Sequence, residues 1–289
     1  GNHLITSAVE HPAVAEPLRF LERQGYQVTT LPVDAHGQVD PAQVAAAITD
    51  RTILVSIMHA NNEVGTIQPI RAIVEVAHAR EVLVHTDAAQ SIGKIPVRLA
   101  DLGVDLLTVA GHKFYAPKGV GALIVRQGVP LEPLIHGAGH EGGQRAGTEN
   151  VPYLVGLGYA AELALERLPA YQERVRTLRD TLHRHILERV PTALLNGHPI
   201  ERLPNTLNLS FPRMNAAALL AAIRGQVACS TGSACHAGHA APSQVLLAMG
   251  RDARLASAAL RLSLGWATTA QEVEQAAEVI GAAVHALTR

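Results

Sequence analysis

Short apolar runs alternate with helix-length segments through the first half of the chain. The runs are rich in β-branched residues, and their starts are spaced by about 25 residues, as strand–helix–strand units require. They cover residues 3–7, 27–31, 52–58, 82–86, 105–110 and 121–126. Segments 13–24, 41–49 and 69–80 have the length of helices, and Asp40-Pro41 supplies an N-cap and a first-turn proline. The pattern predicts a mostly parallel α/β sheet with helices on both faces.

The pattern changes beyond about residue 150. A long Arg/Glu-rich segment with apolar residues at helical spacing ends at Pro191, and residues 203–211 read as a strand followed by a helix near 215–224. Thr269 and Glu272 form a capping box at the start of a last amphipathic helix. We therefore predict a large domain over residues 1–160 and a smaller α+β domain over residues 161–289.

Composition excludes several classes of protein. The net charge is −1 in 289 residues, which gives no electrostatic reason to expect nucleic acid or an acidic membrane surface as a partner. No apolar run is long enough to span a bilayer, and two cysteines do not make a disulfide scaffold, so we expect a cytoplasmic protein. The chain opens on Gly1 almost directly at a strand, which leads us to expect further residues in front.

Polar side chains follow the apolar runs at the points where the strands should end. They are His11, Asn62, Asp87, Gln90, His112 and Lys113. The carboxyl ends of parallel strands meet at one edge of a sheet, where loops and helix N-termini converge on ligands. Any one of these residues is as easily explained by ordinary loop polarity, but the set predicts a ligand site.

Lys113 and Asp87 suggest which chemistry the site supports. The chain has only three lysines, Lys94, Lys113 and Lys118. Lys113 directly follows a buried strand, so we expect it to be desolvated, which would lower the pKa of its amine and make it nucleophilic toward an aldehyde. An aspartate on a neighbouring strand end could keep a pyridine nitrogen protonated, as in pyridoxal-phosphate enzymes. A phosphate loop around Lys118 is disfavoured because it lacks the required glycine spacing and Ser/Thr.

Seven motifs in order resemble those of one family over essentially the whole chain. They are SAVEHPAV, SIMHANNEVGTIQPI, HTDAAQSIGK, GHKFYAPKGVGAL, RAGTEN, STGSAC and LRLSLG. The chain resembles the cysteine desulfurase and selenocysteine lyase family, pyridoxal-phosphate proteins of the class V aminotransferase type. The resemblance implies a fold-type I pyridoxal-phosphate transferase, with a mostly parallel sheet in the large domain and the catalytic cysteine loop in the small one.

The resemblance also implies a role for each matching residue. Lys113 would bind the cofactor aldehyde covalently and later move the substrate α-proton. His11 would stack on the cofactor ring and assist proton transfer as a catalytic residue. Asp87 would pair with the pyridine nitrogen, while Asn62 and Gln90 would lie near the phenolic oxygen. His112 would reach the phosphate, and Thr148 would reach the phosphate bound by the partner subunit of a homodimer. Arg261 would bind the substrate carboxylate, and Cys235 would be the nucleophile.

Cys235 allows other interpretations. Cys235, His236 and His239 offer at most three metal ligands within five residues, with no second cluster, and we predict no metal site. A disulfide with Cys229 is conceivable, but a reducing compartment argues against it, and a buried structural role suits Cys229 better. The small residues around Cys235 suit a loop that carries sulfur from the substrate to an acceptor protein. His236 or His239 could favour the thiolate form of Cys235.

Departures from the family pattern leave alternatives open. The family's N-terminal segment, with a Gly-Ala-Thr phosphate-binding turn, is absent from the sequence. At position 110, cysteine desulfurases commonly have a serine that donates a hydrogen bond to the phosphate. Ala110 stands there in this sequence and cannot donate, which resembles selenocysteine lyases more closely. We favour desulfuration of L-cysteine over release of selenium from L-selenocysteine. A catalytically idle binding subunit is a further alternative, and an aminotransferase proper would leave Cys235 without a role.

Overall fold

A six-stranded sheet forms the first half of the molecule in the computed structural model, which describes residues 1–231 and 242–288. Its strands are β1 (His3–Ser7), β2 (Gln27–Leu31), β3 (Thr52–Ser56), β4 (Leu83–Asp87), β5 (Leu106–Ala110) and β6 (Gly121–Val125). The order is β2-β1-β3-β4-β5-β6, and only β6 runs antiparallel to its neighbour. The mostly parallel α/β sheet is confirmed, with each strand within two residues of its predicted ends.

The helices between these strands begin where the sequence supplies caps. They are α1 (Pro12–Arg23), α2 (Pro41–Ala47), α3 (Ile70–His78) and α4 (Leu99–Leu102). The carboxylate of Asp40 accepts a hydrogen bond from the N–H of Ala42 and caps α2, with Pro41 in the first turn. Val44 of α2 and Ile73 of α3 are fully buried in the core of this sheet.

Helices cover the two faces of this sheet unequally. Val55, Val84 and Leu107 point to the face under α2 and α3 and are fully buried, whereas their neighbours Leu54 and Leu83 remain partly exposed. The strand order explains the difference. Only the connection from β1 to β2 runs toward the opposite edge of the sheet, so right-handed crossovers place α1 alone on the second face. Helices were predicted on both faces of the sheet. They cover one face as predicted, whereas the second face carries only α1 of the helices that connect these strands.

A second, antiparallel sheet lies in the C-terminal part. Its strands are β7 (Leu194–Asn196), β8 (Thr206–Ser210), β9 (Ser230–Thr231) and β10 (Ala259–Ser263), in the order β7-β8-β10-β9. Helices α5 (Val151–Arg189), α6 (Ala216–Ala222), α7 (Gln244–Ala248), α8 (Ala253–Ser257) and α9 (Ala270–Leu287) accompany it. The predicted strand, the helix near 215–224 and the Thr269–Glu272 capping box are present. The core between sheet and helices includes Leu207, Leu260 and Ile280.

Helix α5 joins the two halves. Ala160, in its first part, packs with Phe114 and Ala116 beside the large sheet, while Tyr171 and Val175 pack in the core of the second sheet. The predicted boundary between residues 160 and 161 thus falls inside one continuous helix. Among the described residues, no helix combines the length and the apolar character needed to cross a membrane.

Candidate active site

Five of the residues predicted from the sequence line one cavity of about 830 Å³. They are Asn62, Gln90, His112, Lys113 and Arg261. Asn62, Gln90, His112 and Lys113 follow the carboxyl ends of β3, β4 and β5, and Arg261 comes from β10 of the second sheet. The cavity therefore lies where the ligand edge of the parallel sheet meets the antiparallel sheet, as expected for a site in an open α/β fold.

A short 3-10 helix, Gly111–Phe114, places Lys113 at the cavity. A side chain on Gly111 would come within 2.8 Å of the backbone oxygen of Val120, so the chain can turn here only without a Cβ. Tyr115 ends the turn in the left-handed region (φ 73°), and its hydroxyl accepts a hydrogen bond from the N–H of Trp266 (2.8 Å). Backbone sterics and one contact with the turn after the last strand of the second sheet thus fix the position of Lys113.

Lys113 is exposed, which corrects the expectation of a desolvated amine. The reason is geometric: the 3-10 turn carries Lys113 beyond the last residue of β5, to the wall of an open cavity. The buried lysine of this site is Lys94, whose side chain is only 7% exposed.

Asp87 and His11 lie at the same edge, although neither lines the cavity. Asp87 is the last residue of β4, which pairs with β5 beside Lys113, and its Oδ1 accepts a hydrogen bond from the N–H of Ala89 (2.9 Å). His11 caps α1, with its Nδ1 accepting from the N–H of Ala13 (3.1 Å). Because Nδ1 accepts, a neutral His11 carries its proton on Nε2.

Arg261 connects the second sheet to the turn after β3. Its Nη1 donates to the backbone oxygen of Asn62 (2.9 Å), and its Nε has no partner among the described residues. Glu63 lies nearby: burial raises the pKa of its carboxyl, while a hydrogen bond from Ser243 and the charge of Arg261 oppose the rise. A guanidinium with unused donors at a cavity wall suits a carboxylate ligand.

The cavity wall carries basic side chains, and no carboxylate is among the described residues that line it. The basic residues are Lys94, His112, Lys113, Arg167 and Arg261. The donor set suits an anionic ligand with more than one charged group. A primary amine, two amides (Asn62 and Gln90) and a guanidinium together fit pyridoxal phosphate and an amino acid substrate.

Lys94 was not predicted as a site residue. Its Nζ donates to both the backbone oxygen (2.9 Å) and the side-chain Oε1 (3.0 Å) of Gln90. Burial, followed by the charges of Lys113 and Arg261, lowers the pKa of this amine to about 7. The scarcity of lysine and the four-residue spacing from Gln90 were the available signals.

Glu10 is a second residue that the sequence did not single out. Its Oε1 accepts from the hydroxyl of Ser7 (2.6 Å) and from the N–H of Met58 (3.0 Å), while Oε2 is buried without a partner among the described residues. Burial raises the pKa of this carboxyl to about 8, and the charge of Asp87 adds to the rise. A glutamate beside His11 gave no sequence signal, because acidic residues after a strand are usually solvated.

Thr148 is the remaining predicted site residue that the structure describes, and it does not line the cavity. Thr148 is exposed in the segment before α5. Cys235, His236 and His239 lie outside the described residues. Cys229 is half-buried against the core of the second sheet, where burial raises the pKa of its thiol, in keeping with the structural role predicted for it.

The sequence matches a known family model along most of its length. The model described as aminotransferase class-V covers residues 1–276. The chain belongs to the class-V aminotransferase family. The predicted family and fold class are thereby confirmed.

Curated relatives of this class-V aminotransferase carry a more specific name. It is 46% identical over 281 residues to "Cysteine desulfurase IscS" of Methanosarcina thermophila, covering 97% of this chain and 69% of the relative. It is also 46% identical over 281 residues to "Cysteine desulfurase IscS" of Dictyoglomus turgidum, covering 97% of this chain and 71% of the relative. A solved structure named "NifS-like protein" is similar with a TM-score of 0.90 at 39% identity, covering 99% of this chain and 75% of that one.

Proposed function

We infer that this class-V aminotransferase is a cysteine desulfurase, which converts L-cysteine to L-alanine and passes the sulfur to an acceptor. The observation that carries the inference is the convergence of Lys113, Gln90, Asn62, His112 and Arg261 on one cavity lined by basic residues. The chain holding that cavity is 46% identical to proteins named cysteine desulfurase. These relatives also favour desulfuration over the selenocysteine lyase alternative and over an idle binding subunit.

Pyridoxal phosphate is the cofactor that the residues of the cavity fit. When bound, it would supply an electron sink conjugated to the substrate α-carbon. The amine of Lys113 would hold its aldehyde carbon, and His112 would bind its phosphate. Asp87 would keep the ring nitrogen protonated from the end of β4, with His11 against the ring and the amides of Asn62 and Gln90 at the phenolic oxygen.

Arg261 and Lys113 would act on the substrate itself. Arg261 would bind the carboxylate of L-cysteine, because its guanidinium has donors to spare beyond the one held by the backbone of Asn62. The Lys113 amine would take and return the α-proton of the substrate.

Cys235 would receive the sulfur. Its thiolate would attack the substrate sulfur, forming a sulfur–sulfur bond as the carbon–sulfur bond of the substrate breaks. The electron pair released to the substrate carbon would take up a proton, which gives alanine, and Cys235 would remain as a persulfide. A sulfur-acceptor protein, such as one that assembles iron–sulfur clusters, would then receive the sulfur.

Alanine formation from L-cysteine tests this function. We expect Cys235→Ser to abolish alanine formation while Cys229→Ser, the matched control, keeps it, because Cys229 packs in the second core. Full alanine formation by Cys235→Ser would contradict the role of Cys235, and no turnover by the cofactor-loaded protein would contradict the function. Loss of cysteine turnover in a Cys235→Ala variant that retains selenocysteine turnover would instead favour the lyase.

Three further features belong to the same proposal. The exposed position of Thr148 is compatible with contact to a second subunit, so we propose a homodimer in which Thr148 reaches the partner's cofactor. We also propose the division into a large domain and a smaller C-terminal domain that carries Cys235, with α5 shared between them. A thiol that forms a persulfide must not be held in a disulfide, which a reducing compartment favours, and we propose the cytoplasm.

A further inference from the structure

Lys94 differs from the other two lysines of this chain. Lys113 and Lys118 are exposed, whereas Lys94 is only 7% exposed and still lines the cavity. Burying an amine is costly unless it is hydrogen-bonded. Both hydrogen bonds that the Lys94 amine makes with described residues go to one residue, Gln90, whose Oε1 and backbone oxygen accept them.

The contact fixes which end of the Gln90 amide faces the cavity. A glutamine amide can present either its oxygen or its NH₂ group, and the two orientations are close in energy unless a partner selects one. A protonated Lys94 can only donate to Gln90, so it holds Oε1 as the acceptor. Gln90 lines the cavity, and its Nε2 group has no partner among the described residues, so it is left to donate to a ligand.

Protonation makes this selection strict. Burial and the charges of Lys113 and Arg261 lower the pKa of the Lys94 amine to about 7, so both protonation states are populated near neutral pH. A neutral amine still has two N–H groups for the two acceptors that Gln90 offers, but its lone pair can also accept from an amide NH₂ group. The orientation of the amide is therefore selected most strictly below a pH of about 7, where Lys94 is protonated.

We propose that Lys94 is a positioning residue that locks the amide of Gln90, so that an N–H donor and not a carbonyl meets an anionic oxygen of the ligand. The inference rests on the proposed function, since the ligand is the pyridoxal phosphate that the cavity would hold. Lys94 itself would touch neither substrate nor cofactor. It would act through Gln90 alone.

Cofactor affinity gives a direct test. The apoprotein is titrated with pyridoxal phosphate, and binding is followed by its visible absorption, for wild type, Lys94→Met and the control Lys118→Met. Loss of one positioned hydrogen bond is worth about 1 kcal/mol, so Lys94→Met should raise the Kd about 5-fold while Lys118→Met leaves it unchanged. An equal Kd in all three proteins would overturn the proposal.

A double-mutant cycle separates positioning from general damage. If Lys94 acts only through Gln90, Lys94→Met should add less than about a 2-fold change in Kd to a protein that already carries Gln90→Met. Fully additive effects would mean that Lys94 acts elsewhere and would refute the assignment. Thermal unfolding of each apoprotein shows whether the variants are folded.

Gln90→Glu keeps the proposal testable should Lys94→Met fail to fold. The substitution retains an acceptor for Lys94 but replaces the donor that faces the ligand by an oxygen, so the Kd should rise at least as much as expected for Lys94→Met. An unchanged Kd would show that the amide oxygen already faced the ligand. If wild type and Lys118→Met bind no pyridoxal phosphate, the proposed function itself fails, a result distinct from a normal Kd in Lys94→Met.

Discussion

Glu10 should make the stability of this protein depend on pH in an unusual direction. Its folded-state pKa is about 8, compared with an ordinary value of 4.5, chiefly because burial disfavours the carboxylate. Between these values the unfolded chain has released the proton and the folded chain has kept it. The free energy of unfolding therefore falls as the pH rises through this range.

The size of the effect follows from the shift. One pKa unit corresponds to about 1.4 kcal/mol, so the Glu10 contribution should decrease by about 4 kcal/mol between pH 5 and pH 8. Glu10→Gln removes the titration but keeps an oxygen that can accept from Ser7 and Met58. The variant should thus gain stability relative to wild type as the pH rises. Other groups such as His59 also titrate, but they do so in both proteins, and their contributions cancel in the difference.

Urea unfolding at several pH values between 5 and 8 provides the assay. Glu22→Gln, an exposed position on the same helix as the His11 cap, serves as the control and should follow wild type. A stability difference between Glu10→Gln and wild type that stays constant within about 1 kcal/mol over this range would refute the reasoning. It would mean that the Glu10 carboxyl reaches water in the folded protein.

Two further substitutions test the substrate site and the turn beside it. Arg261→Lys keeps the charge but loses the planar guanidinium, so the KM for L-cysteine should rise about 10-fold. Arg254→Lys, at an exposed residue of α8, should leave the KM unchanged. Equal KM values in the two variants would contradict the assigned role of Arg261. Gly65 has φ +79° and lies where a Cβ would come within 2.9 Å of the Thr206 Cβ. Gly65→Ala should therefore lower the free energy of unfolding by about 2 kcal/mol. Gly25 also has a positive φ but has open space around it, so Gly25→Ala should lower it by only about 1 kcal/mol. Equal losses in the two variants would contradict the steric role of the Thr206 contact.

The parallel sheet was predictable because its strands are continuous runs of β-branched residues separated by capped helices. The second sheet was predictable only in part. Strands β7 and β9 have three and two residues and show no alternating pattern. Strand β10 overlaps the LRLSLG motif but was not predicted to be a strand. Short strands owe their conformation to tertiary pairing, which local sequence does not encode.

The site shows the same division. Asn62, Gln90, His112 and Lys113 were predictable because the carboxyl ends of parallel strands share one edge. The contact of Arg261 with Asn62 joins positions 199 apart. The family resemblance assigned both residues to one site, which spacing in the sequence could not do. The exposure of Lys113 is the reverse of the expectation, and the burial of Lys94 was not predicted. Both depend on how turns after β4 and β5 direct the chain, which a count of apolar neighbours in the sequence does not reveal.

The central claim is that Lys113, out of three lysines, holds an aldehyde cofactor at the meeting point of the two sheets. Borohydride reduction of the protein loaded with pyridoxal phosphate, followed by mass spectrometry of its peptides, tests this directly. The account predicts a single pyridoxyl group on Lys113 and none on Lys94 or Lys118. A stable pyridoxyl group on Lys94 or Lys118, or on no lysine at all, would contradict it.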